Sequence, residues 1–146
     1  MIDSANMEII NGGFFCDDRG KIRFVNDFDM SSVKRFYILE NSDDTILRGW
    51  RGHQSERRWF FPLKGEFRVD VVFVDNWELP NRNQEVFTYR LSESENHVLH
   101  IPEGCATLIQ ALTRINELLI FADFGIEHAK QDDFQYDVQH FINRNN

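Results

Sequence analysis

The residues with the most chemistry to offer lie in one stretch, Leu47-Arg48-Gly49-Trp50-Arg51-Gly52-His53-Gln54-Ser55-Glu56-Arg57-Arg58-Trp59. It gathers four arginines, a histidine and two tryptophans in a chain whose formal net charge is -8. Guanidiniums hold phosphate or carboxylate through paired N–H groups, and an aromatic ring packs on a sugar or base. Such a cluster can therefore line a pocket for an anionic ligand. His53, flanked by arginines, has its charged form disfavoured by like charge, which keeps it a neutral base near pH 7. Two plainer readings stand beside these. The cluster can be a solvated basic edge strand that blocks unwanted sheet pairing, and a lone histidine is more often structural than catalytic.

Unbroken alternation along a strand does not gather Arg48, Trp50, Arg51 and His53 on one face. Gly49 and Gly52 allow the bulge or kink that would re-aim them. His97, His100, His128 and His140 are scattered. His97 and His100, three apart on an alternating strand, face opposite ways and do not share a metal. Cys16 and Cys105 lie far apart and match no paired zinc spacing, so free thiols in a reducing compartment are the simpler reading, with one disulfide as the alternative.

The elements that must position these residues read as short strands. Residues 33–39 and 45–47 are apolar or β-branched and are separated by the polar turn Glu40-Asn41-Ser42-Asp43-Asp44. The clearest strand is Glu66-Phe67-Arg68-Val69-Asp70-Val71, with charged and apolar residues in alternation, after a turn at Lys64-Gly65. Further strands are expected at 85–90, 97–101, 107–111 and 117–122, punctuated by Pro102-Glu103-Gly104. Short strands without a long helical period between them predict an all-β antiparallel jelly roll. At the C-terminus, Asp132-Asp133 can cap a short helix carrying Phe134, Val138, Phe141 and Ile142 as one apolar stripe, and residues 143–146 are expected to fray.

The 146 residues fit one domain, 1–146, with ample core material: 42% are hydrophobic, including 14 Phe and 3 Trp. That composition excludes a disordered tail and a coiled coil. With 24 acidic against 16 basic residues, nonspecific nucleic-acid binding is disfavoured. No segment approaches a membrane span and the N-terminus lacks a signal-peptide pattern, so no membrane partner and a cytoplasmic location are expected.

One ordered series of short motifs carries a family resemblance. It runs Asp18-Arg19-Gly20-Lys21-Ile22, Val33-Lys34-Arg35-Phe36-Tyr37-Ile38, Arg48-Gly49-Trp50-Arg51-Gly52-His53-Gln54, Leu63-Lys64-Gly65-Glu66-Phe67, Ile101-Pro102-Glu103-Gly104, Leu118-Leu119-Ile120 and Tyr136-Asp137. Over roughly residues 14–142 this series resembles the RmlC-like cupins that modify nucleotide sugars. It is most similar to the sugar 3,4-ketoisomerase branch, with the dTDP-4-dehydrorhamnose 3,5-epimerases as the related branch. In the ketoisomerases the segment similar to Arg48 through Gln54 reads Arg-Gly-aromatic-His-Ala-His-Lys, and its two histidines are implicated in proton transfer on a 4-keto sugar. The second falls on His53. The first, where the epimerases place their base, falls on Arg51, and an arginine cannot take a proton at neutral pH.

The resemblance thus implies a cupin jelly-roll barrel, with His53, Arg51 and Tyr37 in catalysis and Arg48, Arg58, Arg35, Trp50 and Thr107 toward the substrate. Metal-binding cupins supply His-x-His, Glu and a further His where this chain has Arg51, His53, Arg58 and Thr107, a set unsuited to a divalent ion. No metal and no other cofactor are therefore expected. The implied activity is isomerisation or epimerisation of a dTDP-4-keto-6-deoxyhexose for surface-polysaccharide synthesis, in a homodimer. The alternative is a non-catalytic cupin that binds a nucleotide sugar or another anionic saccharide.

Overall fold

The computed structural model of the chain describes residues 7–144. Twelve strands follow in order: β1 (Glu8–Asn11), β2 (Gly13–Asp17), β3 (Gly20–Phe24), β4 (Arg35–Leu39), β5 (Leu47–His53), β6 (Arg58–Lys64), β7 (Glu66–Phe73), β8 (Phe87–Ser92), β9 (His97–Ile101), β10 (Cys105–Ala111), β11 (Glu117–Ala122) and β12 (Phe134–Gln135). One sheet has the order β1-β9-β6-β11-β4, the other β12-β5-β10-β7-β8, and β2-β3 forms a separate hairpin. All pairs are antiparallel. The two sheets face each other as a jelly-roll barrel, as the sequence pattern predicts.

Alternation explains the core. In β7, Phe67, Val69 and Val71 point inward to meet Phe60, Leu99, Ile101, Leu118 and Ile120 of the opposite sheet. Gly65, at φ +77, makes the β6–β7 turn that Lys64-Gly65 foretells. Strand β10 is buried on both faces. Its outward Ala106 and Leu108 join Trp50, Val72 and Phe141 in a second apolar cluster.

That second cluster corrects the expected C-terminal helix. Residues 134–142 do not form one: Phe134 and Gln135 pair with Gly52 and Arg51 of β5, and the Tyr136 N–H continues this contact to the Trp50 carbonyl. The segment then runs across the outer face of the second sheet, where Phe141 meets Trp50 edge-on at 4.9 Å. An apolar sheet face that needs covering competes with a helix here, and Ile142, meant for the helical stripe, is exposed. The short helix lies upstream, as α1 (Ile126–Ala129), followed by a tight helical turn over Lys130–Asp132. Of the expected frayed end, Asn145 and Asn146 lie outside the described residues, whereas Arg144 is tied to buried Asp70. Among the described residues no helix is long and apolar enough to cross a membrane. Cys16 is exposed, Cys105 is buried, and both are unpaired.

Candidate active site in the barrel mouth

The site is built at the opening between β4, the edge of the first sheet, and β5 of the second. Register decides which side chains reach it. Cys105 and Thr107 of β10 lie opposite His53 and Arg51, but Leu108 lies opposite Gly49, so Trp50 is the extra residue of a bulge. Strict alternation from Arg51 would send Arg48 outward with Trp50. The bulge instead puts Arg48 opposite Ile109, a core residue, and turns it inward. Gly49 makes this possible: its φ is +131, and a Cβ there would collide with the Thr107 carbonyl.

Two adjoining cavities result. The larger, of about 550 Å³, is lined among others by Tyr37, Arg48, Arg51, Arg58, Thr107 and Tyr136. The smaller, of about 310 Å³, is lined among others by Arg35, His53, Lys130 and Asp133. Tyr37 and Arg51 belong to both and form their common wall.

Within this space the cations differ in their pairing. Arg35 reaches Glu56 at 3.3 Å and the Phe124 carbonyl at 3.1 Å, with its guanidinium 5.1 Å from the Tyr37 ring centre. Arg48 donates to Asn41 Oδ1 at 2.6 Å and to the Glu40 carbonyl. Arg51, half exposed, pairs with Asp133 at 3.0 Å. Arg58 is 3% exposed, donates to Thr107 Oγ1 at 3.0 Å, and has no acidic partner among the described residues; its Nε has no hydrogen-bond partner. A buried charge without a direct ion pair is costly, and an anion entering the cavity would relieve it.

His53 is buried against the smaller cavity. Its Nδ1 lies 2.6 Å from the Asp132 carbonyl and 3.4 Å from Glu56 Oε2, while Nε2 has no hydrogen-bond partner. Burial, with the Arg58 charge second, pushes its pKa down to about 4, against the pull of Asp132 and Asp133. The ring is therefore neutral at physiological pH, as its arginine neighbours imply. Burial also raises the Glu56 carboxyl above its usual range, opposed by Arg58 and Arg35.

The basic stretch is thus no solvated edge: β5 pairs with β10 along its length, and Arg58 and His53 are buried. All eight expected site residues, Tyr37, Arg35, Arg48, Trp50, Arg51, His53, Arg58 and Thr107, line the two cavities. Trp50 does so without offering its ring. Its side chain is fully buried, with Nε1 donating to the Val138 carbonyl and Phe141 against its ring, so it presents no face for a base or sugar to stack on. Alternation from Arg51 already points it outward, under the C-terminal segment. Sequence reasoning did not assign Glu56 or Asp132 to the site. Glu56 stood in the dense stretch, but the pairing of Asp132 depends on a contact 76 to 79 residues away along the chain. His97 and His100 do point to opposite faces, toward Glu95 and the Trp59 ring. Among the described residues no three His, Cys, Asp or Glu are grouped to hold a metal ion.

No family model and no curated protein matches this sequence. Solved structures do match its fold. The sugar 3,4-ketoisomerase of Thermoanaerobacterium thermosaccharolyticum, in complex with TDP, superposes with a TM-score of 0.71 at 18% identity, over 94% of this chain and 93% of that one. A 3,4-ketoisomerase from Helicobacter canadensis gives 0.64 at 15% identity over 95% and 91%. The dTDP-4-dehydrorhamnose 3,5-epimerase of Bacillus anthracis, with TDP and pyrophosphate bound, gives 0.74 at 13% identity over 97% and 86%. The fold is that of the cupin jelly rolls. Within them it is the version shared by the 3,4-ketoisomerases and the dTDP-4-dehydrorhamnose 3,5-epimerases, the two groups that the motif series resembles.

Proposed function

We propose that the protein is a nucleotide-sugar isomerase or epimerase that moves protons on a dTDP-4-keto-6-deoxyhexose without a metal, serving deoxysugar supply. The observation that carries this reading is a buried neutral imidazole with a free Nε2 next to a buried guanidinium that makes no direct ion pair. The carbonyl at C4 acidifies the proton at C3. Nε2 of His53 takes that proton, leaving an imidazolium and an enediolate whose oxygen charge Arg58 stabilises. Return of the proton to C4, with the O3 hydroxyl proton passing to O4, gives the 3-keto isomer; inversion at C3 takes its proton from a donor on the opposite face, a role open to Tyr37, while the imidazolium keeps the one it removed. Arg48, Arg58 and Arg35 are the candidates for the diphosphate, and Tyr37, on the shared wall, for a polar contact to the sugar. Arg51 is a fixed cation and contributes charge, not proton transfer.

A second reading, a non-catalytic binder, is favoured by the Arg51–Asp133 pair. It places a spent ion pair where related enzymes hold a base. Incubation with dTDP-4-keto-6-deoxyglucose in deuterated water separates the two. Deuterium at C3 alone supports isomerisation, at C3 and C5 epimerisation, and binding without incorporation supports the binder.

A further inference from the structure

The surroundings of His53 on the side away from the free nitrogen are more ordered than a buried histidine requires. Asp132, itself 6% exposed, uses both ends. Its backbone carbonyl meets His53 Nδ1 at 2.6 Å, and its carboxylate accepts the backbone N–H groups of Gln54, Ser55 and Glu56 at 2.7, 3.0 and 2.8 Å. Those three contacts fix the turn that follows β5 and bring the Glu56 side chain back to the same ring, 3.4 Å from Nδ1. Glu56, 2% exposed, is held from its other oxygen by Arg35.

We propose that Asp132 and Glu56 are positioning residues that fix His53 as the Nδ1–H tautomer, so that Nε2 is its only proton-accepting atom. The inference rests on the reading of His53 as the base. A carbonyl oxygen accepts and cannot donate, so the contact to Asp132 assigns the ring proton to Nδ1. Glu56 then supplies the negative charge that favours the imidazolium as it forms. It is needed because the other groups facing the ring are mixed: Arg58 from β6, Arg51 on the same strand face, Lys130 and Tyr37 across the smaller cavity, Cys105 directly opposite on β10, and Asp133 beside Asp132. Arg58 opposes the charge that Nε2 must acquire. Asp132 and Asp133 offset it, and the Glu56 carboxyl stands 3.4 Å from Nδ1 to add to them.

The test begins without any variant of these two residues. Long-range proton–nitrogen NMR on histidine-labelled protein at pH 7, with the His53 signal identified by its loss in His53→Asn, should show one neutral ring with the proton on Nδ1 and a bare Nε2. A proton on Nε2, or an averaged pair of tautomers, overturns the proposal. Glu56→Gln, once its folding is confirmed by thermal melting, should keep the tautomer and lower kcat for solvent exchange about tenfold or more, with KM nearly unchanged. An unchanged kcat would remove Glu56 from the role and leave it structural. The two readings fail separately. Exchange that depends on His53 in a protein whose ring carries its proton on Nε2 sinks the positioning scheme alone, while an Nδ1–H ring without exchange sinks the enzyme and leaves the tautomer assignment standing.

Discussion

Arg58 donates to the hydroxyl of Thr107 across the barrel at 3.0 Å, and that neutral contact is the guanidinium's only side-chain hydrogen bond among the described residues. The charge is stacked over Phe60 and is 3% exposed, in a position where a buried cation is normally paired. In the proposed reading such an arrangement trades stability for anion binding. Arg58→Met should therefore stabilise the ligand-free protein, by about 1–3 kcal/mol, because it removes a buried charge with no direct ion pair, a gain only partly offset by the loss of its field at Glu56. The same change should weaken dTDP binding by about 1.5–3 kcal/mol, the range for a hydrogen bond to a charged group. Thermal melts and calorimetric titration check both halves. A variant that is less stable and binds equally well would contradict the assignment.

The buried neutral His53 makes stability depend on pH with a defined sign. Its folded-state pKa of about 4 lies below the ordinary value of 6.5. Between those values the unfolded chain takes up a proton that the folded one refuses, so stability falls as pH drops from about 6.5 to about 4 and this contribution levels off below that. Over the full window it amounts to at most about 3 kcal/mol. Urea unfolding at pH 7 and pH 5 should show a smaller loss for His53→Asn than for the wild type. Parallel loss in the two proteins would mean that His53 is not buried neutral.

Trp50 is expected to behave as a core residue. Trp50→Ala should cost about 3–5 kcal/mol, as for other large buried aromatics. Trp50→Phe keeps the packing on Phe141 but leaves the Val138 carbonyl without its donor, at about 1–2 kcal/mol. In Trp50→Phe, nucleotide affinity should stay near the wild-type value, since the indole touches no ligand in this account. A marked loss of affinity in a well-folded variant would restore its stacking role.

Strand β4 is an open sheet edge whose outward Phe36 and Ile38 are 64% and 53% exposed. An edge of this kind is available to pair antiparallel with its own copy across a two-fold axis, which would set the outward Phe36 and Ile38 of the two copies side by side. Light scattering should give about twice the 17.4 kDa chain mass, and Phe36→Lys should shift the population toward monomer. A monomeric wild type would contradict this.

The strands that alternate on their own account were legible: His97–Ile101 and Glu117–Ala122 fall on their expected bounds, and Glu66–Phe73 extends its expected run. Strand β6 was not, because Arg58-Trp59-Phe60-Phe61-Pro62 mixes charge, aromatics and a proline without period, and its burial comes from neighbours on both sides. The hairpin β2-β3 was missed for a related reason: its Phe14, Phe15 and Ile22 are exposed and trace no core face. At the site, the arginines and His53 announced themselves by density of charge. The direction of Arg48 did not, since one bulge residue reverses it. Asp132 was read as a helix cap, and it does cap backbone N–H groups, but those of residues 54–56 instead of a helix of its own.

The central claim is that Nε2 of His53 moves the proton, and a paired measurement on wild type and His53→Asn addresses it most directly. Both proteins are titrated with dTDP and then followed by NMR with dTDP-4-keto-6-deoxyglucose in deuterated water. The account predicts equal dTDP affinity, because guanidiniums hold the diphosphate, together with C3 deuteration that falls about 100-fold or more in the variant. Deuteration that proceeds at the wild-type rate in His53→Asn would contradict it.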